Sequence, residues 1–196
     1  MSGLITAEWQ DVVVQLETLP GLFSPERVDR GTRAMLSVAA FRPGLKVMDL
    51  GCGCGVVGIL AAKVCGAENV VMADNDPRAV EVARRNAARN GVSGVACMVS
   101  DGFDGVEAAG FDLILSNPPY QSDFHVAKRF IEKGFNRLKV GGRMLMVTKR
   151  LTWYRNKLTA IFGGVRVREI DGYFVFEAEK RRMTYAKAGH ARGGHA

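Results

Sequence analysis

The sequence predicts an open, mostly parallel β-sheet with helices on both faces and an antiparallel hairpin at its C-terminal end. Runs of apolar residues with the length of buried strands alternate with helical patterns from residue 45 to about residue 162. After that point VRVREI and YFVFEAE flank Asp171-Gly172, which is a strong hairpin signal. No repeat or linker divides the 196 residues, a length sufficient for one domain with its own core.

The elements can be assigned in order along the chain. A first helix starts near Ser24-Pro25 or Asp29, and Pro43-Gly44 stops it. The strands that follow are predicted at residues 45–50, 69–73, 94–100, 111–116 and 143–149. Between them, helices are predicted at residues 56–66, 77–90, about 123–139 and about 152–162. Five alternating strands and the hairpin together make a seven-stranded sheet.

Two helix boundaries have clear local signals. Asp76 is a good N-cap for the helix that opens with Pro77, because proline is well suited to the first helical position. The long helix after residue 123 is expected to end before Gly141-Gly142, since glycine lowers helix stability.

The positive charge is unevenly distributed. The chain carries a net charge of +7, and residues 180–196 hold five basic residues and no acidic one. Without them, 22 basic residues face 20 acidic residues. We therefore expect an N-terminal extension over residues 1–21, a folded domain over 22–179 and a basic, flexible tail over 180–196. The tail suits a polyanion such as RNA, or it is simply a solvated terminus.

Cysteine usage and hydropathy limit the class of protein. The four cysteines, at positions 52, 54, 65 and 97, have no second Cys or His pair at zinc spacing, so we expect reduced thiols, a cytoplasmic protein and no metal. No apolar run approaches the length of a membrane helix, and no signal-peptide pattern opens the chain, so no membrane partner is expected.

Polar residues collect where the predicted strands end, which is where ligands bind in sheets of this kind. The first strand runs into DLGCGCGVVG, the second ends at Asp74, the third at Asp101-Gly102 and the fourth at Asn117. Gly53, Gly55 and Gly58 match the G-x-G-x-x-G pattern of dinucleotide sites, with Asp74 at a plausible distance. A dinucleotide site, however, requires neither Asp49 nor Asp101.

These segments resemble the class I S-adenosylmethionine-dependent methyltransferases. VMDLGCGCG, ADNDPRAVEVARRNAARNG, SDGF and NPPY stand at strand ends in the family's order, and the resemblance covers about residues 22 to 180. It implies a Rossmann-like catalytic domain that binds S-adenosylmethionine. The cofactor-binding residues it implies are Phe23, Thr32, Asp49, Gly51, Cys52, Gly53, Gly55, Asp74, Asn75, Asp101, Gly102 and Asn117.

The resemblance also implies separate roles for the strand-end residues. Asp49 and the glycine loop would face the methionine part of the cofactor, and Asp74 would accept both ribose hydroxyls. Asp101 would accept the adenine amine, and the Gly102 N–H would reach a ring nitrogen. The alternative for Asp74 and Asp101 is a helix N-cap or a turn.

The segment NPPY suggests chemistry on a planar amine. Two acceptors that hold the N–H groups of a conjugated amine favour a pyramidal nitrogen with an available lone pair. The side-chain oxygen of Asn117 and the carbonyl of Pro118 can be these acceptors, with Pro118 and Pro119 stiffening the backbone. Tyr120 can stack on the target. The alternative is a Pro-Pro loop with a buried tyrosine.

Three features favour guanine in ribosomal RNA. GLFSPERVDRGTRAML and FGGVRVREIDGYFVFEAEK resemble the small-domain methyltransferases that act on guanine amines of ribosomal RNA. There Phe23, Asp29 and Thr32 would flank the cofactor, although Phe23 could also cover the core. TKRLTWYRNK combines cations with rings, as RNA-binding surfaces do. Trp153 and Tyr154 could equally be core residues of the last helix.

Other functions are compatible with the same residues. A protein glutamine or a small molecule can also present a planar amine, and a cofactor-binding module without catalysis would keep the glycine loop. Ribosomal RNA or a ribosomal subunit is the expected partner, while the oligomeric state is not determined by the sequence.

Overall fold

A computed structural model describes residues 3–22, 27–118 and 124–185 and shows one seven-stranded sheet with helices on both faces, beside a separate two-stranded sheet. The strands are β1 (Gly3–Trp9), β2 (Val12–Thr18), β3 (Val47–Leu50), β4 (Val70–Asp74), β5 (Ala96–Val99), β6 (Phe111–Ser116), β7 (Leu138–Thr148), β8 (Arg166–Ile170) and β9 (Tyr173–Glu179). The helices are α1 (Arg30–Val38), α2 (Val56–Cys65), α3 (Pro77–Arg89), α4 (Phe124–Arg137) and α5 (Leu151–Phe162).

The topology confirms the predicted fold class. The strands lie in the order β5-β4-β3-β6-β7-β9-β8, with β3 to β7 parallel and β9 antiparallel to both β7 and β8. From β3 the chain builds one half of the sheet outward to β5 and then returns to β6 on the other side. Strand order therefore reverses between β3 and β6, which creates a crevice beyond the carboxyl ends of these strands.

The core forms two apolar layers, one on each face of the sheet. Alternate residues of a strand point to opposite faces, so Val47 joins the layer under α1 and α2 while Met48 joins the layer under α4 and α5. All four residues of β3 are buried because helices cover both faces, which explains why this strand is almost continuously apolar in sequence.

The N-terminal segment contains a hairpin that was not predicted from the sequence. Strands β1 and β2 pair antiparallel and dock against α3. The Asn86 side chain accepts from the Glu17 N–H at 2.7 Å and donates to the Glu17 carbonyl at 2.8 Å, and Asn90 forms the same pair of bonds with Gln15 at 3.0 and 2.8 Å. Each amide thus bonds both the N–H and the carbonyl of one residue on the edge strand β2. The turn of this hairpin contains no glycine, so its sequence lacks the usual hairpin signal.

Two predicted boundaries are wrong: the end of the first helix and the start of the strand predicted at residues 143–149. Helix α1 ends at Val38 rather than at Pro43-Gly44, because Ala39 already has an extended backbone. Helix α4 ends at Arg137, and β7 begins at Leu138 and continues through Gly141, which has a positive φ of 83°. Pairing of Leu138 with Phe111 on β6 extends the strand beyond its local signal. In the described part of the chain, no helix combines the length and apolarity that crossing a bilayer requires.

Candidate active site

A cavity of about 390 Å³ lies beyond the carboxyl ends of β3, β4 and β6. It brings together most of the residues predicted from the sequence, namely Thr32, Asp49, Gly51, Cys52, Gly53, Asp74, Asn75, Asp101, Gly102, Asn117 and Pro118. Phe23, Pro119 and Tyr120 fall outside the described residues, so their predicted roles stay predictions. Gly55 is not among the residues that line the cavity; it precedes α2 with a φ of 91°.

The glycine loop between β3 and α2 is shaped by backbone conformation. Gly55 adopts a left-handed conformation, and a Cβ there would lie 3.0 Å from Ile59 Cδ1, so glycine is needed to start α2 against its neighbours. The N–H groups of Gly51 and Cys52 both donate to the Ala73 carbonyl, at 2.8 and 3.0 Å, and fasten the loop to β4. Backbone conformation and packing are therefore sufficient to require glycine at position 55, and its predicted contact with the cofactor stays a prediction.

Asp49 is a buried carboxyl beneath this loop. Its side chain is 3% exposed, and its Oδ2 accepts from the Gly58 N–H at 2.8 Å. Burial raises the pKa of Asp49 to about 7, the Gly58 hydrogen bond partly offsets that rise, and the nearby Asp74 carboxylate adds to it. A bound cation such as a sulfonium or an ammonium would favour the ionised form.

We expect Asp49→Asn to stabilise the ligand-free protein at pH 8 more than at pH 5. The pKa of Asp49 is about 7 in the folded protein and 3.8 ordinarily, so the buried carboxyl causes no loss of stability at a pH below 3.8. As the pH rises from 3.8 toward 7, the unfolded chain ionises more readily than the folded one, and the folded state becomes less stable. At about 1.4 kcal/mol per pKa unit, the difference between variant and native protein should grow by roughly 2 kcal/mol over this range. Thermal unfolding at both pH values measures it, and a pH-independent difference would contradict the assignment.

Cys52 and Cys54 of the glycine loop form part of the apolar wall of the cavity. Burial raises the pKa of the Cys52 thiol well above its ordinary value and that of Cys54 to about 11, so both remain neutral at physiological pH. Both side chains line the cavity, and all four cysteines of the chain are free thiols in the structure.

Asp74 stands at the carboxyl end of β4 and organises the loops around it. Its Oδ2 accepts from the Gly53 N–H at 2.9 Å, and its Oδ1 accepts from the Asp76 N–H at 3.0 Å. The N-cap of α3 is Asp76, whose Oδ1 accepts from the Arg78 N–H at 2.9 Å, so Asp74 is not the helix cap. A carboxylate has about four acceptor sites, which leaves Asp74 able to accept two hydroxyls as well.

Asp101 is at the rim of the cavity. Its carboxylate pairs with Arg129 of α4 at 2.8 Å, and its side chain is 61% exposed. The neighbouring Gly102 is buried with a φ of 61°, and a Cβ there would lie 3.1 Å from the Phe130 ring. Arg129 and Phe130 were missed because nothing in the sequence of α4 indicates which of its residues face the loop after β5.

The Asn117 side chain is held in one orientation. Its Nδ2 donates to Asp29 Oδ2 at 2.8 Å and to Thr32 Oγ1 at 3.0 Å. Because an ionised carboxylate only accepts, the amide nitrogen must face Asp29 and the amide oxygen must face away from it. Asp29 is itself fixed as the N-cap of α1, where its Oδ2 accepts from the Thr32 N–H at 3.0 Å. The start of α1 thus sets the direction of the amide.

The rings after β7 divide between core and surface. Tyr154 is buried and stacks on Phe176 with the ring centroids 5.7 Å apart, so the alternative of core packing holds for it. Trp153 is half-buried and stacks on Phe124, the first residue of α4, with the centroids 4.5 Å apart.

The remaining cavity wall is apolar. Ile5 from β1, Leu22 and Met35 line one side, and Val126 and Phe130 from α4 line another. These residues carry no chemical signature in sequence and could be found only by their position in the fold. Ile5 shows that the N-terminal hairpin contributes directly to the cavity.

Comparison with known proteins gives a consistent result. A sequence model of the methyltransferase small domain matches residues 13–177. The chain is 34% identical over 178 residues to ribosomal RNA small subunit methyltransferase C of Pseudomonas putida, covering 87% of this chain and 52% of that protein. The protein of the same name from Hahella chejuensis is 36% identical over 158 residues, covering 79% of this chain and 46% of its relative.

Solved structures give a similar match. The Thermus thermophilus 16S rRNA N2 G1207 methyltransferase, in complex with AdoMet and guanosine, superposes with a TM-score of 0.83 at 26% identity. That match covers 92% of this chain and 51% of the other. TrmN from Thermus thermophilus superposes with a TM-score of 0.65 at 28% identity, covering 76% of this chain and 47% of that one. The chain thus spans about half the length of the relatives it matches.

Proposed function

The chain belongs to the methyltransferase small domain family, and from this premise we propose that it transfers the methyl group of S-adenosylmethionine to the exocyclic amine of guanine in ribosomal RNA. The observation that carries the proposal is the orientation of the Asn117 amide. Its nitrogen donates to Asp29 and Thr32, which directs the amide oxygen away from both residues in a side chain that lines the cavity.

The cavity suits S-adenosylmethionine in the chemistry of its donors and acceptors. Asp74 has acceptor capacity for the two ribose hydroxyls, and Asp101 can accept the adenine amine. The buried Asp49 lies beneath the glycine loop, where a positive charge would be stabilised. When bound, the cofactor supplies an electrophilic methyl group.

The protein's own contribution is to position the amine. Asn117 Oδ1 accepts one N–H of the target amine and the Pro118 carbonyl accepts the other, which directs the nitrogen lone pair toward the methyl donor. The Asn117 side chain is partly buried and donates hydrogen bonds to both Asp29 and Thr32. Little reorganisation of the amide is therefore needed when the substrate binds. After transfer the nitrogen loses one proton to solvent.

RNA is favoured over the alternative substrates by its charge. Lys149 and Arg150 follow β7 at the same edge of the sheet as Asn117 and are exposed. The names of the relatives point in the same direction, since several are ribosomal RNA methyltransferases. A binding module without catalysis would not require an amide so firmly oriented.

The test is methyl transfer from labelled S-adenosylmethionine to total RNA and to ribosomal subunits from cells that lack the protein. Digestion to nucleosides should show label in N2-methylguanosine. Label in protein or in small metabolites would show that the substrate is not RNA. Tight cofactor binding without any methyl transfer would support the non-catalytic alternative.

A further inference from the structure

A stack of one cation and two rings lies beside the candidate site. The Arg150 guanidinium sits over the Phe124 ring, 4.8 Å from its centroid, and Trp153 stacks on the same Phe124 at 4.5 Å with 23° between the ring planes. Phe124 and Trp153 are only half-buried, and Arg150 is exposed. Interior packing therefore does not account for the whole arrangement.

The location of the stack follows from strand register. Ser116, the last residue of β6, is opposite Met146 of β7. The chain continues beyond this pair to Asn117 on one strand and to Lys149 and Arg150 on its neighbour. Adjacent strands are about 4.8 Å apart, so these cations lie at the same edge as the amide that is proposed to bind the target amine.

Within the segment from Lys133 to Arg168, most basic side chains form ion pairs, but the three nearest this edge do not pair with any described carboxylate. From Lys133 to Arg168 the sequence has ten basic residues and no acidic one. Most of these cations are neutralised by carboxylates elsewhere in the fold, including Lys133, Lys139, Arg143, Lys157, Arg166 and Arg168. Within the residues that the structure describes, Lys149, Arg150 and Arg155 form no such ion pair.

We infer that Arg150, Phe124 and Trp153, with Lys149 and Arg155, form a docking site for the single-stranded RNA that flanks the target guanosine. The cations would contact phosphates, and the exposed part of Trp153 would stack on a neighbouring base. This inference rests on the proposed function, because the amine clamp defines which nucleotide is the target. A flexible single strand can reach both sites without the cost of opening a duplex.

Direct binding tests the cations without requiring methyl transfer. Fluorescence anisotropy should measure the affinity of the full chain for a mixed-sequence, single-stranded RNA oligonucleotide at several salt concentrations. We expect Lys149→Gln with Arg150→Gln to weaken binding about tenfold at low salt and to reduce the slope of log K against log salt by about 1.4, for two lost phosphate contacts.

The matched control removes the same charge at the opposite edge of the sheet. Lys63 and Arg89 lie near the C-terminal ends of α2 and α3, are exposed, and form no ion pair with another described residue. Each helix leads into the start of the next parallel strand, so these ends lie at the edge of the sheet opposite Lys149 and Arg150. Lys63→Gln with Arg89→Gln should leave the affinity within about twofold of the native value. If both double variants lost RNA affinity equally, the loss would follow from net charge alone and the inference would be overturned.

The stacking role of Trp153 needs a readout that loss of packing does not change. Trp153→Leu should weaken RNA binding several-fold without changing the salt slope, and Trp153→Phe should restore most of the affinity. Native-like cofactor affinity would show that the fold is intact. Unchanged RNA binding by Trp153→Leu would show that the Trp153 ring is not part of the docking site. If the native protein binds RNA as described but methylates none, the proposed function fails and the docking site stands.

Discussion

Asn117→Ala is expected to lower the rate of methyl transfer by at least about a hundredfold while cofactor affinity changes little. The variant removes an acceptor for the target amine, and catalytic groups of this kind commonly contribute two or more orders of magnitude. The Asn117 amide is held by Asp29 at 2.8 Å and Thr32 at 3.0 Å, so the variant loses an acceptor whose position is fixed before the substrate binds. Single-turnover kinetics at saturating RNA, with calorimetric titration of the cofactor, would measure both quantities.

Two further variants sharpen this test. Asn117→Asp keeps an acceptor oxygen but places a second carboxylate against Asp29, so we expect it to be nearly as impaired as the alanine variant. Asn136→Ala removes an exposed amide from α4 and should retain native turnover. Near-native transfer by Asn117→Ala would refute the amine clamp.

Asp74→Ala should weaken cofactor binding by at least about a hundredfold. Two hydrogen bonds from ribose hydroxyls to a carboxylate would be lost, and bonds to charged groups contribute roughly 1.5–3 kcal/mol each. The variant also removes the acceptor for the Gly53 N–H, which lies 2.9 Å from Asp74 Oδ2, so the glycine loop loses one of its attachments. Calorimetric titration with S-adenosylmethionine gives the dissociation constant directly.

The two contributions of Asp74 can be separated. Asp74→Asn retains an oxygen that can accept from Gly53, so its affinity should lie between those of the native and alanine proteins. Glu81→Ala, which removes an exposed carboxylate from α3, serves as the control and should bind the cofactor normally. A dissociation constant for Asp74→Ala within about threefold of native would exclude the ribose role.

Local sequence signals were sufficient for the order of the elements and for the carboxyl ends of the strands. Asp74, Asp101 and Asn117 all follow directly on short apolar runs, and the topology of parallel strands brings such positions to one edge of the sheet. That inference needs only strand order and direction, so it did not depend on the exact boundaries of α1 and α4.

Residue partners were not accessible in the same way. The bond between Asn117 and Asp29 joins residues 88 positions apart, and the bond between Asn86 and Glu17 joins residues 69 positions apart. Neither pair has a spacing that a local rule could detect. The pairing of Asp101 with Arg129 likewise depends on how α4 packs over the loop after β5.

By itself, the sequence therefore determined which chemical groups gather at the edge of the sheet, because hydrophobic patterning and turn residues specify where each strand begins and ends. The tertiary structure alone decided how those groups are oriented. The Asn117 oxygen faces away from Asp29 because a carboxylate can only accept, and Asp29 is in place because it caps α1. Such constraints arise only when segments distant in sequence are packed together.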